Sequence, residues 1–290
     1  MPVIWTSRAR AIGNRAPVGP FSLNKGSPQA KGLIAWYPSE GSSLTLARDY
    51  GGRHRDGTAG AATPTLAATG WGTAFDLNPG DEYTLGDVQA LIGGAHELSG
   101  SCRIYIRSYG TSSTAYIRNI AGDDKSESNG TFSFRVGADG SSAGKDKLYG
   151  HVITVNRHGV AGSTALALDR WYTVGFSWLL GGNYKLWLDG RLEASASGGN
   201  YAISSTHNSP LRIGDEGVRG RNWDGLIKDL RFYDYELKAP MWRAISDPQT
   251  RWDLYWQRRR TYFIPAAPGG ATLFRSRTTM GYRAGSRQAA

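Results

Sequence analysis

The stretch 171–197, "WYTVGFSWLLGGNYKLWLDGRLEASAS", contains runs of alternating apolar residues separated by two turns. Alternate residues of a strand lie on the same face of a sheet, so Tyr172, Val174, Phe176 and Trp178 are expected on one face, and Tyr184, Leu186 and Leu188 on the corresponding face of the next strand. An Asp-Gly pair between two such runs, here at 189–190, strongly indicates a hairpin, because both central residues must adopt positive φ. The stretch therefore predicts a three-stranded antiparallel meander.

The rest of the chain shows the same pattern. "CRIYIRSY" (102–109) and "TFSFRV" (131–136) alternate in the way expected of half-buried strands. In the last such run, 225–233, the alternation predicts one face made of Leu226, Lys228, Leu230 and Phe232 and another made of Ile227, Asp229, Arg231 and Tyr233. We interpret Asp229 and Arg231 as a structural pair. A short helix is expected at 237–246, with Pro240 in its first turn and Pro248 ending it. Many short strands and little helix predict an all-β sandwich.

Composition limits the classes of protein that the chain can represent. The sequence has 290 residues with 39 glycines and one cysteine, Cys102, which excludes an intramolecular disulfide framework and a thiolate zinc cage. No apolar run approaches the roughly 20 residues needed to span a bilayer. Arg8 and Arg10 follow a very short apolar start, so we do not expect a signal peptide.

The positive charge lies at the two ends of the sequence. Of the net charge of +10, residues 1–32 contribute +5 and residues 251–290 contribute +7, whereas residues 33–250 carry −2. A nucleic-acid-binding fold usually carries its basic patch on the folded body. Nucleic acid is therefore the less favoured partner, and the ends are either solvated tails or arms that contact other subunits.

The order of the motifs resembles the laminin-G-like branch of the concanavalin A-like jelly rolls. The features that carry this resemblance are an Asp-containing loop at 49–57, Phe75 and Asp76 followed by Tyr83, Trp171 opening a strand that runs into Leu188, Asp189 and Gly190, and a closing strand with Gly225, Ile227, Asp229, Arg231 and Tyr233. The resemblance implies a jelly-roll sandwich of two antiparallel sheets over residues 33–248, with one short C-terminal helix. Residues 1–32 and 249–290 would then be extended basic arms.

The segment after the predicted helix resembles a recurrent ending of laminin-G-like proteins encoded by tailed bacteriophages. Its features are Asp247, Pro248, Trp252, Tyr255, Trp256 and the run Arg258, Arg259 and Arg260. This resemblance implies a virion structural protein, made in the cytoplasm of a bacterial host. No family counterpart is identified for residues 266–290.

The sequence carries no recognisable catalytic pattern. Retaining glycosidases of this fold present their paired carboxylates as Glu-x-Asp-x-x-Glu on one strand, and the sequence contains no Glu-x-Asp. The histidines show no metal-ligand spacing; they are His54, His96, His151, His158 and His207. We therefore expect neither an enzyme nor a cofactor. The less favoured alternative is a calcium ion, bound by oxygen ligands from the turns at 122–124 and 214–217.

Two functions are compatible with these observations. The first is a capsid decoration or head- or tail-attached module, anchored to other virion subunits by aromatic and arginine side chains of the arms: Trp5, Arg8, Arg10, Trp252, Tyr255, Trp256, Arg258, Arg259 and Arg260. The second is an adhesin that binds host-surface glycan, with a candidate cluster of Arg219, Arg221, Trp223 and Asp224. Trp223 could instead simply cover the sheet. A membrane partner is not expected, and a homo-oligomer is compatible with both functions. Deletion of 249–290 is expected to leave a folded sandwich.

Overall fold

The computed structural model describes residues 21–109, 117–123, 131–137, 144–203, 209–215 and 221–257. Strands dominate these residues. They are β1 (Phe21–Leu23), β2 (Leu33–Tyr37), β3 (Leu46–Ala47), β4 (Gly57–Ala59), β5 (Thr65–Thr69), β6 (Gly72–Leu77), β7 (Tyr83–Asp87), β8 (Glu97–Ile106), β9 (Arg118–Gly122), β10 (Phe132–Val136), β11 (Leu148–Ile153), β12 (Arg157–Ala161), β13 (Trp171–Leu179), β14 (Asn183–Leu188), β15 (Arg191–Ser197), β16 (Pro210–Ile213), β17 (Gly225–Tyr233) and β18 (Tyr255–Gln257). The helices are α1 (Gln89–Ile92) and α2 (Ala239–Ser246), together with a 3₁₀ turn at Pro28–Ala30.

The strands form the two antiparallel sheets of the predicted sandwich. The first sheet has the order β12-β11-β10-β9-β16-β7-β4-β3, and the second has the order β15-β14-β13-β8-β17-β6-β5, with β2 also paired to β17. Apolar side chains of both sheets form one buried core, which includes Phe132 and Phe134 from the first sheet and Ile104, Phe176 and Trp178 from the second. The jelly-roll prediction is confirmed. No helix of the described residues is long and apolar enough to cross a membrane.

The meander predicted at 171–197 is present as β13, β14 and β15. Asp189 and Gly190 have φ values of 47° and 79°, as the two-residue turn requires. Tyr172 and Val174 on β13 and Leu186 on β14 belong to the core, so the predicted faces are correct. The predicted helix is also present, as α2.

The closing strand β17 departs from the predicted alternation. The side chains of Ile227, Leu230 and Phe232 lie together in the core, although Ile227 was predicted on the opposite face from the other two. A bulge causes this change: Asp229 has φ of 58°, and the pairing of β17 with β8 shifts between Lys228 and Arg231. An extra residue in one strand reverses the faces of everything beyond it. The bulge lies where the other edge of β17 changes partner, from β6 to β2.

A second apolar cluster covers the outer face of the second sheet, around β17 and β14. Helix α2 and the residues after it contribute Trp242, Ile245, Trp252, Leu254 and Tyr255, which pack with Trp36, Trp187 and Tyr233 of the sheet. Strands β1 and β18 pair with each other in antiparallel fashion. The packed body thus reaches beyond the predicted bounds of 33 and 248, because residues 21–31 and 249–257 close over the sheet.

Candidate functional site

The predicted anchoring residues divide into buried, exposed and undescribed groups. Trp252 is 4% exposed and Tyr255 is 6% exposed, and both pack on the sandwich of their own chain. The prediction that they contact a neighbouring subunit is therefore wrong for these two residues, because their own sheet offers an apolar face. Trp256 is 41% exposed. The remaining predicted anchors lie outside the described residues: Trp5, Arg8, Arg10, Arg258, Arg259 and Arg260.

The predicted glycan-binding cluster does not present an exposed ring. Trp223 is 0% exposed and belongs to the core between the sheets, so it cannot stack on a sugar. Arg221 is also buried. The carboxylate of Asp224 accepts from Arg107 Nε at 3.0 Å and from Ser108 Oγ at 2.5 Å, which fixes its position at the end of β8. Arg219 lies outside the described residues.

The turns considered for calcium have structural roles where they are described. Asp123 is fully buried, and its carboxylate accepts hydrogen bonds from the backbone N–H groups of Thr131 and Phe132 at 2.8–2.9 Å. The backbone oxygen of Asp215 accepts from Asn119 Nδ2 at 3.0 Å. Within the described ranges, no group of three or more His, Cys, Asp or Glu side chains is placed to hold a metal ion. Calcium binding stays a prediction.

A buried arginine ties both ends of the described chain to the second sheet. Arg231 is 0% exposed and donates to Asp229 through Nε at 3.1 Å and Nη2 at 2.5 Å, which confirms the predicted pair. It also donates to Gln29 Oε1 at 2.6 Å and to the backbone oxygen of Arg251 at 2.8 Å. Trp36 Nε1 donates to the same Asp229 carboxylate at 2.7 Å. We call these five residues the Arg231 clamp.

A second buried charge closes the bulge of β17. Lys228 is fully buried, and its Nζ donates to Glu40 and, at 2.6 Å, to the backbone oxygen of Thr73. Tyr255 Oη donates to the other oxygen of Glu40 at 3.0 Å. Burial raises the pKa of Glu40 and lowers the pKa of Lys228, against the attraction between them. This network is part of the fold, because every charge in it has a partner.

The outer face of the second sheet carries a different arrangement beside the clamp. Trp171 on β13 lies opposite Tyr105 on β8, with ring centroids 5.7 Å apart, and both rings are half-buried. Arg103, two residues before Tyr105 and thus on the same face, is only 5% exposed. Its guanidinium carbon lies 3.8 Å from the centroid of Trp71, which is in the β5–β6 turn. We call Trp71, Arg103, Tyr105 and Trp171 the Arg103 surface.

Arg103 contrasts with the arginine of the clamp in its hydrogen bonding. Its Nε and Nη1 atoms are buried and find no hydrogen-bond partner among the residues that the structure describes. Burial, and then the positive charge of nearby Arg251, lower the pKa of Arg103 to about 9. Alternation with Cys102 and Ile104 puts Arg103 on the face of β8 away from the core, where a half-buried strand would expose it to solvent. It is buried instead, because Trp71 and the segment around Arg251 cover it.

The Arg103 surface combines the features of a recognition site for polar ligands. Aromatic rings with one open face suit the apolar faces of sugars, and polar groups beside them fix orientation. Sequence reasoning missed this site. The sequence features that could have revealed the site are a tryptophan between two glycines, Gly70 and Gly72, and the alternation of Arg103 with core residues.

The chain belongs to a laminin G family described as the concanavalin A-like lectin/glucanases superfamily, whose model matches residues 78–240, more than half of the sequence. The match includes Arg103, Tyr105 and Trp171 and excludes Trp71 and Arg251. Among curated proteins, none has a sequence that matches the chain.

Solved structures share the fold at low sequence identity. Domain 4 of AbnA, an extracellular GH43 arabinanase from Geobacillus stearothermophilus, in complex with arabinotriose, has 18% identity and a TM-score of 0.57 over 74% of this chain and 98% of that domain. The binding domain of Paraclostridial Mosquitocidal Protein 1 has 10% identity and a TM-score of 0.57 over 75% of this chain. The binding domain of botulinum neurotoxin DC, in complex with rat synaptotagmin II, has 13% identity and a TM-score of 0.55 over 76% of this chain. The match covers 52% of each of the latter two domains, about half their length.

Proposed function

We propose that this chain is a carbohydrate-binding module without hydrolytic activity, and that the Arg103 surface contacts the sugar. The observation that carries the proposal is the half-buried pair of Tyr105 and Trp171 beside a buried guanidinium. Support comes also from the likeness to the arabinanase domain, whose structure was solved with arabinotriose. At 18% identity that likeness extends to the fold.

Glycan-array screening, followed by titration of the best ligand, tests the proposal. Trp171→Ala removes one ring of the pair and is expected to weaken binding by about 2 kcal/mol, or roughly 30-fold, as the loss of a central aromatic contact does. Because Trp171 is half-buried, a thermal melt of the variant must accompany the titration. The matched control is Tyr201→Ala, which removes an exposed ring outside the site and should leave affinity unchanged.

Two outcomes would contradict this assignment in different ways. Binding that survives Trp171→Ala at full strength would place the sugar elsewhere on the sandwich. An array with no glycan bound at all would remove the carbohydrate function itself.

The absence of hydrolysis is tested separately. Incubation with a panel of polysaccharides should release no reducing ends, because the sequence lacks the paired carboxylates of the retaining enzymes of this fold. Turnover above background on any of them would show that the chain is an enzyme.

A second candidate function, compatible with the first, is that of a structural component of a phage particle. The observation that favours it is the exposure of Trp256 near the end of the described chain, two residues before the start of the arginine run 258–260. An exposed aromatic beside several arginines is typical of the central contacts of protein interfaces. Purified particles encoded by the same genome should contain the chain, and Trp256→Ala should lower its incorporation while leaving its melting temperature unchanged. Normal incorporation of this variant would show that the anchor lies elsewhere.

A further inference from the structure

Several buried polar atoms around the Arg103 surface lack partners among the described residues, and four of them share one chemical property. Within the described ranges, no hydrogen-bond partner is found for Arg103 Nε and Nη1, Arg251 Nε and Trp252 Nε1. All four are N–H groups, which donate and cannot accept. Native structures satisfy nearly all buried donors. A concentration of unpaired N–H donors in one place therefore indicates that a bound ligand supplies the hydrogen-bond acceptor.

These donors belong to one neighbourhood. The guanidinium carbons of Arg103 and Arg251 lie 3.8 Å and 4.8 Å from the centroid of the same Trp71 ring. The guanidinium carbon of Arg103 also lies 5.9 Å from the Trp252 ring and 5.8 Å from the Trp171 ring. Two guanidinium groups therefore accompany the open aromatic pair.

The carboxylates that act on Arg103 are already engaged elsewhere. Asp229 accepts both hydrogen bonds from Arg231, and Asp189 accepts from the backbone N–H of Thr173 at 2.8 Å. Neither carboxylate accepts a hydrogen bond from Arg103 Nε or Nη1 in the part of the chain that the structure describes. The positive charge at this position is consequently not matched by a direct ion pair.

We infer that the Arg103 surface binds an anionic group, a carboxylate or sulfate carried by a sugar, through the N–H groups of Arg103 and Arg251. These N–H groups are buried in the free chain, so binding requires the half-buried Trp71 ring in the β5–β6 turn to move aside. Guanidinium groups bind such anions with strong charge-assisted hydrogen bonds, and burial strengthens the attraction. The aromatic pair would hold the adjoining sugar ring. This inference rests on the proposed function and narrows it to acidic glycans. It also explains why Trp71 and Arg251, outside the matched family segment, border the site.

The alternative is that Arg103 is a structural residue that simply stacks on Trp71. The two interpretations predict different changes in melting temperature for one substitution, Arg103→Met. Arg103→Met retains an unbranched side chain to pack on the indole and removes the charge and its donors. If the guanidinium waits for a ligand, its removal leaves the melting temperature unchanged or raises it, because an unsatisfied buried charge opposes folding. If the guanidinium is structural, the melting temperature falls.

The experiment titrates the full chain with four probes: tri-galacturonate, a sulfated trisaccharide, a neutral trisaccharide and inorganic sulfate. We expect at least one acidic trisaccharide to bind about ten-fold or more tightly than the neutral one. Arg103→Met should abolish this preference without lowering the melting temperature, and Trp171→Ala should weaken the acidic and neutral sugars alike. Arg191→Met removes the same charge from an exposed position on β15 and should change nothing, which controls for general electrostatic attraction.

The outcomes separate this inference from the function on which it rests. Equal binding of acidic and neutral sugars, both weakened by Trp171→Ala, would overturn the anion site and leave the carbohydrate function intact. A melting temperature lowered by Arg103→Met, with the acidic preference retained, would also overturn it. Stabilisation by inorganic sulfate that depends on Arg103, without binding of any sugar, would support the anion site and contradict the carbohydrate function.

Discussion

Arg231 and Arg103 lie on adjacent strands, on the same outer face of the second sheet, and both are almost fully buried. Arg231 donates to Asp229, to Gln29 and to the backbone of Arg251. Burial is the largest single influence and would lower its pKa, but the charges and hydrogen bonds of Asp229 and Tyr233 together outweigh it, and the pKa of Arg231 is raised. The pKa of Arg103 is lowered by burial and by Arg251.

Arg231 and Arg103 differ in their hydrogen-bond partners and not in the depth of their burial. A buried charge whose every donor is matched by the protein is committed to the fold. A buried charge with unpaired donors weakens the fold, and its donors remain available for a ligand. The Arg231 clamp is therefore a structural use of a buried arginine, and the Arg103 surface is, on our proposal, a recognition use of a second arginine in the same sheet.

The largest test of this comparison is to remove the segment that completes the clamp. Deletion of 249–290 was expected from the sequence to leave a folded sandwich. The structure indicates the opposite, because the deletion removes Trp252, Leu254 and Tyr255, all buried. At about 1.5–3 kcal/mol for each buried side chain, the loss is on the order of 6 kcal/mol, comparable to the stability of a typical domain. Circular dichroism and urea unfolding of the truncated chain should show a largely unfolded or molten protein.

A shorter deletion provides the control. Removing 258–290 leaves the clamp and β18 in place, so this chain should unfold at nearly the same urea concentration as the full protein. If the chain that ends at 248 is as stable as the one that ends at 257, the clamp contributes little and the comparison fails.

The next test breaks the clamp at one residue. Asp229→Ala leaves Arg231 buried without its carboxylate and Trp36 Nε1 without its acceptor. Loss of one partner of a buried ion pair costs about 3–5 kcal/mol, and alanine at a φ of 58° adds roughly 1 kcal/mol. Urea unfolding measures the sum. Asp229→Asn tolerates the same φ and can still accept hydrogen bonds, so it should lose less, and adding Arg231→Met to Asp229→Ala should restore part of the loss. A change below about 1 kcal/mol for Asp229→Ala would show that the clamp is not a structural unit.

Local signals in the sequence predicted the fold well. The meander and α2 followed from alternation, an Asp-Gly turn and two prolines, all within a few residues of the elements that they define. The faces of β17 were predicted wrongly beyond Lys228, because the bulge there follows from a change of partner strand. Partner strands come from distant parts of the chain, which periodicity does not reveal.

The site was less predictable than the fold for the same reason. Arg103 lies on the outer face of its strand, and only the approach of Trp71 and Arg251, distant in sequence, buries it. Trp252 and Tyr255 were predicted to be interface residues. The sequence did not reveal that they pack on the outer face of the second sheet of their own chain. The Asp229–Arg231 pair was predicted because its two members are close in sequence, whereas Gln29 and the backbone of Arg251 were not.

The smallest expected effect concerns an ion pair at the rim of the covered face. Glu236 accepts from Lys185 Nζ at 2.7 Å and also from Lys238, whose side chain is largely exposed. Burial by itself raises the pKa of Glu236, but the hydrogen bonds from the two lysines outweigh it, and the net pKa is lowered from 4.5. A carboxylate with a lowered pKa stabilises the folded state above its unfolded pKa, and this contribution is lost as the pH falls through the folded value.

Glu236→Gln should therefore reduce the free energy of unfolding by about 1 kcal/mol near neutral pH, as a partly exposed pair does, and the difference from the unchanged protein should vanish below the folded pKa. Urea unfolding of both proteins across the acid range checks this, since all other titrating groups cancel in the difference. A loss at neutral pH as large as that of Asp229→Ala would show that the exposure of the lysine partners, compared with the complete burial of Arg231, is not what separates this pair from the clamp.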